Sequence, residues 1–293
     1  MDAADDRSAG LEGPVAFVLG GGGRLGAAEV GMLEALVGVG VRPDLVLGTS
    51  IGAINGAIFA SSPDWHGVHE LRELWLGVEE SGLLGDGMFD RLRTMVSTGV
   101  ALHRSSQLAA LFADIIDDDQ QIEDLAVDFA CVAACIETAA ATWFQRGPLV
   151  PALLASAAVP GLFEPMEVDG RHYLDGGLVD SIPVARAVRC GARTIFVLQV
   201  GRIEHPLSVP TNPLRVAQVS FEIARRHGFT TFMEDVPPDV DVHVLPSGGA
   251  APDPADLRAN LSYRDASGLA TSIADAREAS EQYLDANGIG ATG

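Results

Sequence analysis

Two short apolar runs, each ended by a glycine-rich turn, constrain this 293-residue chain more than any other feature. The first is Val15 to Leu19, followed by Gly20, Gly21, Gly22 and Gly23, then Arg24, Leu25 and Gly26. The second is Leu45 to Leu47, followed by Gly48-Thr49-Ser50-Ile51-Gly52. Short continuous apolar runs bounded by turns suit strands buried on both faces of a parallel sheet. After the first turn, Ala27, Val30, Leu33 and Leu36 recur at helical spacing, and the pattern stops near Gly38 or Gly40. After the second, Ala53 to Ala60 is an apolar run with small residues. The first 60 residues therefore predict a β-α-β-α unit with both glycine turns at one edge of the sheet.

Gly48-Thr49-Ser50-Ile51-Gly52 has the Gly-x-Ser-x-Gly pattern of a nucleophile elbow, between a strand and a helix. The serine sits at the tip of the turn with its hydroxyl exposed. The flanking glycines let the chain turn and let helix and strand approach closely. The helix N-terminus favours negative charge at the serine. The first turn has two readings. Gly21, Gly23 and Gly26 fit Gly-x-Gly-x-x-Gly, which can cradle a dinucleotide pyrophosphate. That fingerprint wants an acidic residue at the end of the second strand, whereas Asp44 precedes the strand and Gly48 follows it. The other reading is an oxyanion hole, whose backbone N–H groups face a developing negative oxygen. Donors beside a serine suit acyl transfer.

A serine hydroxyl needs a base. In a Ser-His-Asp triad of the α/β-hydrolase type that base is a late histidine. His205 lies in a polar Glu-His-Pro stretch, His227 follows Arg225-Arg226 on a predicted helix, and His243 alternates within a predicted strand. His172 precedes Asp175 by three residues, which puts the two on opposite faces of a strand. Asp175 ends that strand and opens Asp175-Gly176-Gly177, a turn that exposes a carboxylate at a sheet edge. An Asx turn has the same pattern.

Helical patterns run over Trp65 to Leu76 and Ser106 to Ile116, so residues 63–116 read as a helical insertion suited to a cap or lid. Leu125 to Glu137 and Ala140 to Phe144 read as strands, and Pro148 to Ala157 as a helix. Met166 to Val168 and His172 to Leu174 flank Asp169-Gly170, a type I′ hairpin signal. A short helix at Pro183 to Arg189, a strand at Thr194 to Val200, a helix at about Pro213 to Glu234, a strand at Val240 to Leu245, a Pro/Gly loop at Pro246 to Pro254 and a helix at Tyr263 to Asn287 complete the chain. No repeat or linker divides it. The expectation is one α/β domain over residues 14–287, with flexible tails at 1–13 and 288–293.

The formal charge of -21, from 40 acidic against 19 basic residues, argues against nucleic acid, which needs a basic face. It also opposes adsorption to anionic membranes, so contact with a lipid surface must rest on apolar residues. Met1 to Ser8 has no basic and apolar signal pattern, and no 18-residue window is free of polar groups. Cys131, Cys135 and Cys190 make no disulfide framework or metal spacing. A cytoplasmic protein that meets membranes only from outside is the expectation.

Gly21-Gly22-Gly23-Arg24-Leu25-Gly26, Gly48 to Gly52 and Asp175-Gly176-Gly177 together resemble the patatin-like phospholipases of bacterial type. Ala155 to Gly161 and Leu178 to Pro183 add to the likeness, which covers about residues 14–200. The resemblance implies a three-layer α/β/α fold with a mainly parallel central sheet. It implies a dyad of Ser50 and Asp175 without histidine, an oxyanion hole from Gly21, Gly22, Gly23 and Arg24, and hydrolysis of lipid acyl esters through an acyl-serine. Gly26, Gly48, Gly52, Gly176 and Gly177 support these motifs. Neither a metal nor an organic cofactor is implied. The family usually carries Arg or Lys just before the last glycine of the first motif, where this chain has Leu25 and places Arg24 one position earlier.

Overall fold

The computed structural model describes residues 11–81, 109, 113, 115–160, 163–200, 207, 209–210, 213–248 and 268–290. Most of the expected insertion over 63–116, the end of the loop from Pro246 and the start of the helix from Tyr263 lie outside the described residues. So do residues 1–10 and 291–293 of the two expected tails.

The first unit forms as its pattern predicts. Strand β1 (Val15–Leu19) leads through a 3-10 turn, Gly23–Gly26, into helix α1 (Ala27–Gly38). Strand β2 (Leu45–Thr49) leads into α2 (Ile51–Ser61), and α3 (Trp65–Ser81) follows. Asp44, the acidic residue that precedes β2, accepts the Val15 N–H at 2.8 Å and ties the two strands together.

The later elements are β3 (Asp128–Cys135), β4 (Ala140–Phe144), α4 (Leu149–Ser156), β5 (Met166–Val168), β6 (Arg171–Asp175) and α5 (Val184–Arg189). Then come β7 (Thr194–Leu198), α6 (Pro213–Met233), β8 (Asp241–Val244) and α7 (Leu269–Ala286). The β5–β6 turn has positive φ at both Asp169 (51°) and Gly170 (72°), as a type I′ turn demands. Strand β3 is shorter than the apolar run implies. Ile122–Asp124 is a 3-10 turn, and the ladder starts only at Asp128, where Leu45 becomes its partner.

The sheet order is β5-β6-β3-β2-β1-β7-β8, with β4 also paired to β3. The pairs β1–β2, β1–β7, β2–β3 and β7–β8 are parallel. Those of β3 with β4 and β6, and of β5 with β6, are antiparallel. Alternation along β1 builds three layers. Val15, Phe17 and Leu19 pack with residues of α1, α2, α3, α4 and α7, whereas Ala16 and Val18 pack with residues of α5 and α6. Phe17 stacks on Phe59 at 5.9 Å between ring centroids and meets Phe196 edge-on at 5.8 Å. Burying each such side chain contributes roughly 1.5–3 kcal/mol.

One detail of register positions the site. Thr49, at the end of β2, is partnered with Val132 of β3, and Asp175, at the end of β6, with the next residue, Ala133. Two strands running in opposite directions thus end on adjacent rungs of β3.

Candidate active site

Ser50 turns the chain from β2 into α2 with φ 56° and ψ -122°, a conformation that non-glycine residues rarely adopt. Four bonds hold it there. Its carbonyl accepts from the N–H groups of Ala53 at 3.0 Å and Ile54 at 3.3 Å. Its own N–H donates to Ser156 Oγ on α4 at 3.0 Å, and its hydroxyl donates to Asp175 Oδ2 at 2.6 Å. The turn admits only glycine at its flanks. A Cβ on Gly48 would lie 2.5 Å from Ala53 Cα, and one on Gly52 2.5 Å from the Leu19 carbonyl oxygen.

The hydroxyl is less open than the tip of an elbow suggests. Ser50 is 8% exposed and Asp175 1%. The missing side chain of Gly21 would touch Ser50 Cβ at 3.4 Å and Ser181 Oγ at 3.5 Å, so the glycine loop and the stretch after Asp175 close over the serine. Asp175 also accepts the Gly177 N–H on Oδ1 at 2.7 Å. Burial pushes its carboxyl up to about 6, against the opposing pull of the Ser50 and Gly177 hydrogen bonds and the Arg225 charge. A carboxylate that ionises near neutrality and already accepts the serine hydroxyl's hydrogen bond is placed to act as a base.

The glycine loop departs from the expected donor set at one position. Gly21 donates its N–H to the Ser181 carbonyl at 3.1 Å, which ties the loop to the stretch after Asp175. The Gly22 carbonyl accepts from the Leu25 N–H at 3.3 Å. The side chain of Arg24 lies outside the described residues.

A family model described as patatin-like phospholipase matches residues 17–188, more than half of the 293, and takes in the glycine loop, Ser50 and Asp175. This chain belongs to the patatin-like phospholipase family. Lysophospholipase nte1 of Aspergillus terreus is 32% identical over 190 residues, covering 65% of this chain and 12% of its own. Patatin-like phospholipase domain-containing protein 7 of Rattus norvegicus is 30% identical over 189 residues, covering 64% and 14%. An uncharacterized NTE family protein of Mycobacterium tuberculosis is 33% identical over 171 residues, covering 58% and 44%. The chain thus spans less than half the length of each of these relatives. Among solved structures, VipD from Legionella pneumophila shares the fold, with a TM-score of 0.50 at 14% identity over 94% of this chain and 67% of that one.

Within this patatin-like fold several residues bear on the site without a signal in the three motifs. Ser156 holds the elbow N–H. Thr49 donates its hydroxyl to the Asp180 carbonyl at 2.9 Å, and Ser181 supplies the carbonyl for Gly21. Arg225, on α6, donates from Nη1 to the Gly21 carbonyl. The one trace of it in the sequence is Glu222 at i−3 and i−4 to the pair Arg225-Arg226. Leu25 packs against the main core and brings no charge to the loop.

Behind the loop lies a buried polar cluster. Asn55 donates to Glu29 Oε2 at 2.7 Å and to the Gly26 carbonyl at 3.0 Å, and accepts from Trp75 Nε1 at 3.1 Å. Glu29 is fully buried, and burial holds its carboxyl well above the usual range despite the bond from Asn55. This cluster grips the glycine loop at Gly26, its far end. Among the described residues no group of three or more His, Cys, Asp or Glu side chains is arranged to hold a metal ion. No described helix is long and apolar enough to cross a membrane.

Proposed function

We propose that this chain hydrolyses acyl esters of lipids through an acyl-serine, with Ser50 as nucleophile and Asp175 as its base. The observation that carries this is the 2.6 Å hydrogen bond from the Ser50 hydroxyl to a fully buried carboxylate. Family membership and the lysophospholipase among its relatives support the lipid ester as substrate.

Asp175 takes the hydroxyl proton as Ser50 Oγ bonds to the ester carbonyl carbon. The carbonyl oxygen becomes an oxyanion, which the Gly22 and Gly23 N–H groups hold, since Gly21 is committed to Ser181. The carbon–alkoxy bond breaks and the leaving alcohol takes the proton from Asp175. Water then gives a proton to Asp175, attacks the acyl-serine, and the fatty acid leaves as Ser50 recovers its proton. Val179, just past the Asp175 turn, and Val216 and Ile223 on α6 are 39%, 48% and 55% exposed, and offer apolar contact to a lipid.

A fluorophosphonate probe tests the nucleophile. Labelling of the wild type that is lost in Ser50→Ala, together with loss of p-nitrophenyl ester hydrolysis, supports it. Equal labelling of the two proteins refutes it.

A further inference from the structure

We infer that Arg225 is a positioning residue that aims and polarises the Gly22 N–H toward the reacting oxygen by holding the carbonyl of Gly21. The inference rests on the acyl-transfer reading above.

Arg225 is 9% exposed, and its Nη1 bonds to Gly21, 204 positions earlier in the chain. A buried guanidinium is held only where its donors are met. Glu222 meets two of them, taking Nε on Oε2 at 2.8 Å and Nη2 on Oε1 at 3.2 Å. Burial alone would raise the Glu222 carboxyl, but Arg225 and Arg226 outweigh it and hold it below the usual carboxylate range. The guanidinium is therefore fixed between an ion pair on its own helix and one carbonyl of the glycine loop. Helix α6 also packs against the 3-10 turn Gly176–Leu178 that follows Asp175.

In a trans peptide the C=O and the following N–H point in opposite directions, and no cis bond occurs among the described residues. A Gly21 carbonyl drawn toward α6 turns the Gly22 N–H away from α6. The neighbouring groups are fixed too, because the Gly21 N–H is taken by Ser181 and the Gly22 carbonyl by Leu25. Without Arg225 the Gly21–Gly22 plane would lose the contact that sets its rotation, and glycine resists such rotation least. A cation on the carbonyl also polarises the peptide and strengthens its N–H as a donor. Leu25 supplies no such charge, so the cation arrives from another helix.

Arg225 has a second readable effect, since its charge opposes the burial of Asp175. The other groups on that carboxyl are the Ser50 hydroxyl from the elbow and the Gly177 N–H from its own turn. Glu222 stands behind Arg225, and Asp180 with Arg186 and Arg189 follows in the same stretch of chain.

The test is steady-state hydrolysis of a p-nitrophenyl ester across pH by the wild type, Ser50→Ala, Arg225→Met and Arg225→Lys, each checked for folding by circular dichroism. Arg226 keeps Glu222 paired at 2.7 Å when Arg225 is removed. Expected for Arg225→Met is a fall in kcat of about 10- to 100-fold, below or at the low end of losing an oxyanion donor outright. KM stays within about twofold, and the acid limb of the profile moves to higher pH. Arg225→Lys keeps the limb where the wild type has it, with kcat in between. A folded Arg225→Met with kcat near wild type, or with the loss confined to KM, or with an unmoved limb, overturns the inference. Should Arg225→Met not fold, Arg225→Lys decides, and kcat equal to wild type overturns the inference. A wild type no faster than Ser50→Ala overturns the acyl-transfer reading, and this inference with it.

Discussion

Thr49 and Asp175 pair with neighbouring residues of one strand, Val132 and Ala133. Strand β3 thereby acts as a common ruler for Ser50, one residue past Thr49, and for Asp175. Neither side chain depends on a long loop for its position, and their 2.6 Å hydrogen bond is set by ladder hydrogen bonds in the middle of a sheet.

The first consequence is a pH profile. For the proposed base the active form of Asp175 is the carboxylate, and its carboxyl is raised to about 6, so kcat/KM is expected to fall as pH drops through about 6. Asp180 is also raised by burial to about 6, but its carboxylate makes no bond to Ser50. Asp180→Asn is therefore expected to leave the acid limb in place, and a limb that vanished in this variant would assign the titration to Asp180 and not to Asp175.

The second concerns stability. A carboxyl whose pKa is higher folded than unfolded stabilises fully below its unfolded value near 3.8, and that contribution is lost as pH rises through about 6. At pH 7 the ionised, buried Asp175 thus opposes folding. Asp175→Asn is expected to be inactive and more stable at pH 7 by about 2 kcal/mol. Urea unfolding checks it, and the gain must disappear below about pH 4.

Gly176→Ala tests the shared strand. A Cβ at Gly176 would lie 2.1 Å from the Val132 carbonyl oxygen, so β6 must move off β3 and carry Asp175 away from Ser50. Expected are a loss of stability of about 2 kcal/mol or more and a drop in kcat beyond tenfold. A stable, fully active variant would show that the strand ends do not set the distance.

Asn55→Leu tests the cluster under the glycine loop. It leaves the Trp75 N–H, the Gly26 carbonyl and Glu29 Oε2 without the partner they share. At about 1–3 kcal/mol for each stranded group, a loss of about 3 kcal/mol or more is expected in thermal or urea unfolding.

Histidine replacement tests the dyad. His172 bonds to Glu137, and His243 lies against Phe196 and Tyr283. Single changes of His172, His227 and His243 to alanine are expected to hold kcat within about threefold, against losses of about 10³ or more for a missing triad base.

The turns that carry Ser50 and Asp175 could be read from sequence because glycine-flanked turns at strand ends leave their mark in adjacent residues. The β-α-β-α unit was legible for the same reason, and so was the hairpin at Asp169-Gly170. Contacts across the fold leave no such mark. Ser156 meets Ser50 across 106 positions and Arg225 meets Gly21 across 204, and neither belongs to a local pattern. Glycine also says that backbone can come close, not which way its N–H will point, so Gly21 entered the donor set although it bonds to Ser181. Continuous apolar sequence likewise hid where β3 begins, because a strand starts where its neighbour does.

The two strand ends that meet on β3 have a consequence for synthesis of the chain. Ribosomes release the N-terminal part first. A nascent chain that has emerged only as far as β4 contains the serine, its elbow and the ruler strand, but neither the carboxylate at residue 175 nor the arginine at 225. The hydroxyl then has no carboxylate to take its proton. On the proposed mechanism, hydrolysis then waits until both partners have docked.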